Sequence, residues 1–161
     1  MKKKTKTAAQ GPGCDWRAPE TGESPSSREE PKARIHRHRS DYGWSRTRTE
    51  RYKASDGTWD EVLRRTLVGG LHGERTKFHL RYFEVAPNGH TTLEKHRHEH
   101  VVVVIRGKGR CRIGRKQHTV EYLDTIYIPP GAEHQLSNPF EEPFGFFCIV
   151  DARRDRPVPL G

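Results

Sequence analysis

Residues 88–109 read NGHTTLEKHRHEHVVVVIRGKG, and this stretch decides how the rest of the chain is understood. Its first half places His90, Glu94, His96, His98, Glu99 and His100 in a short window. Its second half, Val101 to Ile105, is an uninterrupted β-branched run that suits a buried strand. Successive side chains of a strand point to opposite faces, so positions 94, 96, 98 and 100 share parity, with neighbours about 6.5–7 Å apart. A carboxylate and several imidazoles on one face can converge on a metal, each donor about 2.0–2.2 Å from it. A single histidine is usually a surface or core residue. Several at one strand face, at the mouth of an apolar run, need partners. The competing reading is an outward, solvated His/Arg face. The VVVVI run that follows favours the inward one.

Working outward, short β-rich runs alternate with turn signals about every ten residues. The runs are 61–68, 77–86, 100–107, 109–114, 118–122, 125–129 and 145–150. Between them stand Gly69-Gly70, Pro87-Asn88-Gly89, Gly107-Lys108-Gly109, Gly114-Arg115, Pro129-Pro130-Gly131 and Asn138-Pro139. No long segment has a 3.6-residue apolar period, so an all-β antiparallel sandwich or barrel is expected. The charge pattern of 59–66 allows a helix, but its β-branched residues and the Gly-Gly that follows favour a strand.

The apolar residues are unevenly placed. Ile35 is the sole Ile, Leu or Val in the first 50 residues, and the aliphatics and Phe concentrate in 60–150. A segment without apolar area cannot offset roughly 1–2 kcal/mol of backbone entropy per ordered residue. Residues 1–45 are therefore expected to be a disordered basic tail, 46–155 the domain and 156–161 a C-terminal tail. Tyr42, Trp44, Tyr52 and Trp59 are expected to lie against the domain's outer face. The net charge is +9, and the first 50 residues hold 12 Lys and Arg against 7 Asp and Glu. Lys2-Lys3-Lys4-Thr5-Lys6 could touch nucleic acid. Without an RNA-binding signature, a nucleic-acid partner is not expected.

Cys14, Cys111 and Cys148 form no disulfide framework and no CxxC zinc motif. No apolar run is long enough to cross a bilayer, and no signal-like apolar region follows the basic start. These features point to a cytoplasmic protein with no membrane partner.

The stretch 88–109 resembles the first cupin motif, G-x5-H-x-H-x3-E-x6-G. Anchored on Gly107, Glu94, His96 and His100 fall on its metal positions and Asn88 on its opening glycine. DTIYIPPGAEHQLSN, residues 124–138, resembles the second, G-x5-P-x-G-x2-H-x3-N. Pro129, Gly131, His134 and Asn138 match, and Leu123 stands where the first glycine falls. The resemblance covers about residues 60–150 and is closest to small single-domain cupins. It implies a double-stranded β-helix, or jelly-roll barrel. It also implies a metal site of Glu94, His96, His100 and His134 for a divalent transition ion: Fe, Mn, Ni, Co or Zn. The usual first His is Glu94 and the usual Glu is His100, so three histidines and one carboxylate are kept in a new order. His98 would sit near the mouth as a supporting group or proton carrier, with the alternative that it replaces Glu94 or His96 as ligand.

In strand 77–86, either Phe78, Leu80, Tyr82 and Glu84 or His79, Arg81, Phe83 and Val85 face inward. In the second case Arg81 could clamp a substrate carboxylate. Cys148 lies on the same side as Phe146 and Val150, and reads as a small buried hydrophobe or a pocket residue. Gln135 is expected to point away from His134, and His36, His38 and His72 to lie on the surface. The expected function is a metalloenzyme of dioxygenase, isomerase or lyase type, acting on a small polar organic molecule. The alternatives are a metal-dependent ligand-binding or sensing module and a tail-driven nucleic-acid binder. A homodimer is also expected, with a segment such as 42–68 pairing at a partner's sheet edge.

Overall fold

The computed structural model describes residues 32–52, 60–154 and 158–160. Cys14, Trp59, most of the expected N-terminal tail and part of the C-terminal one lie outside the described residues. Every named element is a strand. These are β1 (Thr49–Arg51), β2 (Asp60–Val68), β3 (Phe78–His90), β4 (Glu94–Lys95), β5 (His100–Arg106), β6 (Gly109–Ile113), β7 (Lys116–Val120), β8 (Thr125–Ile128), β9 (His134–Ser137), β10 (Phe144–Asp151) and β11 (Val158–Pro159). Among the described residues no helix is long and apolar enough to cross a membrane.

All pairings are antiparallel. One face of the barrel follows the order β1-β2-β3-β10-β5-β8 and the other β7-β6-β9-β4-β11. A single pairing, His90 with Ser137, joins β3 to β9 and links the two halves. The spacing of turns and β-branched runs predicts an antiparallel sandwich or barrel, and the structure is a barrel of the jelly-roll form that the resemblance implies.

The core explains the VVVVI run. Val102 and Val104 point into the barrel, where they meet Val62, Phe83, Val85, Phe146, Cys148 and Val150 from the same sheet, and Cys111 and Leu136 from the other. Val101, Val103 and Ile105 on the opposite face are only partly buried. Outside the barrel, Tyr82 packs under Trp44 (ring centroids 4.9 Å apart) and beside Phe147 (6.2 Å). Tyr42 and Trp44 thus lie against the outer face as expected. Tyr52 does not: its backbone N–H bonds the Val62 carbonyl, and its ring turns inward to Phe83, 5.0 Å away.

The strand expected at 118–122 runs from 116 to 120. Ile113 pairs with Lys116, which makes Gly114-Arg115 a two-residue hairpin turn. Gly114 supplies the positive φ, 57°, that such a turn needs at its first position. Gly107 also has positive φ, 59°, and a Cβ there would stand 2.5 Å from the Pro143 carbonyl oxygen. Asn88 and Leu123, the two positions where the motifs carry glycine, keep the left-handed conformation at φ 65° and 72°.

Candidate metal centre

The histidine window is not one strand. β4 ends at Lys95, the chain bends at Arg97 and His98, and β5 begins at His100. The bend between β4 and β5 folds His96 back onto His100, their rings stacked with centroids 4.4 Å apart. His134 opens β9, directly across from Glu94 in the β4–β9 ladder. The coordinating atoms of His96, His100 and His134 lie within 4.8 Å of one another, and all three residues are buried. Glu94 is buried and shares an interior lining with His100 and His134, but its carboxylate is not among the donor atoms gathered within 4.8 Å, and neither is His98.

Hydrogen bonds orient two of the rings. A carbonyl can only accept, so His96 Nδ1–H donates to the His98 carbonyl at 2.7 Å, and His134 Nδ1–H donates to the Ala132 carbonyl at 2.9 Å. Both rings therefore carry their lone pair on Nε2. His96 Nε2 is buried without a hydrogen-bond partner. A carbonyl holding the far nitrogen of a metal-ligating histidine is the usual supporting arrangement. Burial pushes the His96 and His100 pKa values down, His100 to about 2, so both rings stay neutral, the state a ligand needs. The orphaned Nε2, the neutral rings and the mixed N/O donor set fit a divalent transition ion.

His98 stacks on His96 with ring centroids 3.6 Å apart, and its Nε2 lies 3.1 Å from His100 Nε2. Arg81 points into the barrel, which settles the face of β3. Its Nη2 donates to Cys148 Sγ at 3.4 Å, and Cys148 Sγ lies 3.7 Å from His100 Nδ1. Cys148 is therefore an interior thiol beside the histidines. Burial raises its pKa, and Arg81 pulls it back. Gln135 turns outward, where its side-chain amide bonds the Thr91 carbonyl at 2.9 Å. His36, His38 and His72 lie outside the barrel, His36 and His72 bonding backbone carbonyls of Ser45 and Arg46.

Sequence reasoning missed Tyr52. With Glu94, His100, His134 and Cys148 it lines an interior space of about 30 Å³. Nothing in a lone aromatic near a chain break in the pattern signals that inward turn. It named His79 on the same face as Arg81 without a role, and missed Arg154, which bonds His79 and lies near Arg81 and Arg64. The parity of β3 pairs His79 with Arg81 and was the one available signal.

The family model described as "Cupin domain" matches residues 81–150. The 1-methylthio-D-xylulose 5-phosphate methylsulfurylase of Rhodospirillum rubrum is 40% identical over 121 residues, covering 73% of this chain and 74% of that protein. A cupin-2 domain structure from Rhodospirillum rubrum is 35% identical with a TM-score of 0.70, covering 79% of this chain and 84% of the other. A cupin 2 conserved barrel domain protein from Rhodopseudomonas palustris is 31% identical with a TM-score of 0.73, covering 80% and 87%. With the two motifs, the barrel and the three gathered histidines, these similarities place the chain in the cupin family, among its small single-barrel members.

Proposed function

We propose that this protein is a metal-dependent cupin enzyme. It holds one divalent first-row transition ion through His96, His100 and His134, with Glu94 as the carboxylate ligand, and acts on a small polar organic substrate. The Rhodospirillum rubrum relative is named for 1-methylthio-D-xylulose 5-phosphate, and a methylthio-substituted ketose phosphate is the substrate class we assign here. The observation that carries the reading is the buried, unpartnered His96 Nε2 facing two further imidazoles. A bound divalent ion supplies a Lewis acid that polarises a carbonyl or acidifies a water. His98, stacked on His96 at the bend, is placed to carry protons between that centre and the mouth. Arg81 gives the interior a fixed positive charge.

The test is metal analysis of the purified protein beside His96→Ala, His134→Ala and Glu94→Ala, with turnover of 1-methylthio-D-xylulose 5-phosphate measured on each. The expected result is about one transition ion per chain, lost in the two histidine variants along with turnover. A metal-replete protein that leaves this substrate unchanged would reject the substrate class. A protein that takes up no ion on reconstitution would reject the centre itself.

A further inference from the structure

On the β3 side of the histidines stand three arginines, Arg81, Arg154 and Arg64, with Glu50, Glu94 and Asp151 as the acids around them. On β3, positions 79, 81, 83 and 85 share the inward face. Phe83 and Val85 are core, but the other two are His79 and Arg81. The register sets Cys148 opposite Arg81, and Val150 opposite His79, on β10. On the other flank it sets Thr66 opposite Arg81 and Arg64 opposite Phe83. Past the end of β10 the chain turns back, and Arg154 Nη1 donates to His79 Nδ1 at 3.0 Å and to the Asp151 carbonyl at 3.3 Å. Arg154 is close enough to Arg81 and Arg64 that both, after burial, hold its pKa below the usual arginine range. Arg64 sits over the Tyr52 ring, 5.5 Å from its centroid.

Glu50 pairs with Arg64 at 2.6 Å. Arg81 is 7% exposed, and its Nε is buried without a hydrogen-bond partner. A buried guanidinium with an idle N–H is expensive unless an acceptor arrives. Planar forks of this kind match phosphate oxygens in a bidentate way. The cluster adjoins the histidines through one shared neighbour: Cys148 Sγ lies 3.4 Å from Arg81 Nη2 and 3.7 Å from His100 Nδ1. A ligand with its phosphate on the arginines needs only a short carbon chain to reach His100.

We propose that Arg81, Arg154 and Arg64 form a phosphate-binding site, so that the ligand of this barrel is the phosphomonoester of a short polyol or sugar, anchored by its phosphate while its carbon chain extends toward His100. The proposal rests on the proposed function for the sugar-ester class and for where the carbon chain lies, and adds the arginines as the seat of the phosphate.

The test is calorimetric titration of full-length, metal-loaded protein with D-xylulose 5-phosphate, D-xylulose and inorganic phosphate, with metal content and melting temperature read on every sample. Wild-type protein is expected to bind D-xylulose 5-phosphate at least roughly tenfold more tightly than either D-xylulose or inorganic phosphate, because charge-assisted hydrogen bonds to phosphate are lost in the first comparison and the anchored chain in the second. Arg154→Gln and Arg64→Gln are each expected to weaken D-xylulose 5-phosphate binding by roughly tenfold or more, with metal content and melting temperature unchanged. No binding of the phosphate ester by wild-type protein, equal binding of the sugar with and without phosphate, or wild-type affinity in both Arg154→Gln and Arg64→Gln would each overturn the site. Equal affinity for inorganic phosphate would overturn the sugar-ester assignment. If the wild-type protein holds no metal, the same titrations still judge the arginines, so failure of the centre and failure of this site read differently.

Discussion

At the scale of single residues, the two missing motif glycines are instructive. Leu123 keeps φ at 72° with its side chain 64% exposed, so it bears left-handed strain with little packing in return. Left-handed backbone costs an ordinary residue roughly 1–2 kcal/mol, and glycine's greater unfolded freedom takes back roughly 0.5–1 kcal/mol. Leu123→Gly should therefore raise unfolding stability by about 0.5–1 kcal/mol in urea denaturation. The histidines make a second prediction. Burial holds the His100 pKa at about 2 against 6.5 in a free chain, and lowers that of His96 too. Below pH 6.5 the unfolded chain takes up protons that the folded one refuses, so the contribution is present above 6.5 and is lost as pH falls toward 2. Metal-free protein should lose roughly 1.4 kcal/mol per pH unit from His100 well below that point, with a further loss in the same direction from His96. A melting series from pH 8 to pH 5 in chelator should show the fall, and His100→Gln should flatten it. The three histidines that gather stood out in the sequence, but through an incomplete reason. Alternation on one strand drew attention to positions 94, 96, 98 and 100, whereas the bend between β4 and β5 brings His96 and His100 together.

At the scale of elements, the strands rich in β-branched residues were legible because a period of two needs only a few turns to show. β4 and β9 were not, being two and four residues long and set among Pro, Gly and His. The loop that follows β9 is held by a side chain that periodicity does not register, Asn138, 1% exposed. Its amide donates to the carbonyls of Val85 (2.9 Å) and Glu142 (2.8 Å), and its oxygen accepts from the Phe140 N–H (3.1 Å). This ties the loop after β9 to β3. Asn138→Ala would leave three buried or half-buried backbone groups without partners, at a cost of about 3 kcal/mol. Chemical denaturation should show that loss, and a change under about 1 kcal/mol would mean that water replaces the side chain.

At the scale of the whole molecule, the sheet bearing β3 and β10 has two occupied faces. The inner one carries the histidines and Arg81. The outer one carries Tyr82 and Phe147 under Trp44. Tyr42 and Trp44, aromatics of the poorly apolar first 50 residues, were legible as a cover for this outer face, because rings in such a segment have little else to bury against, whereas Tyr52 was expected there too and turns inward. The two faces should fail independently. Trp44→Ala should cost about 3 kcal/mol by loss of a large buried ring, while the metal content of the folded protein stays unchanged. Calorimetry and metal analysis on the same sample would check both parts, and a loss of metal would show that the outer layer shapes the centre.

Tyr52 carries a consequence in time. Its ring occupies the interior beside His100 and Cys148, leaving about 30 Å³, room for a water or two, against the roughly 300 Å³ or more of a small-molecule pocket. The ring follows β1, three exposed residues long, and its backbone N–H bonds the Val62 carbonyl; so short an edge pairing is of the kind that opens readily. We expect a ligand arriving at the mouth to wait for that opening. The observed association rate in stopped flow should therefore level off as ligand concentration rises, at the opening rate of the strand, and Tyr52→Ala should restore a linear climb.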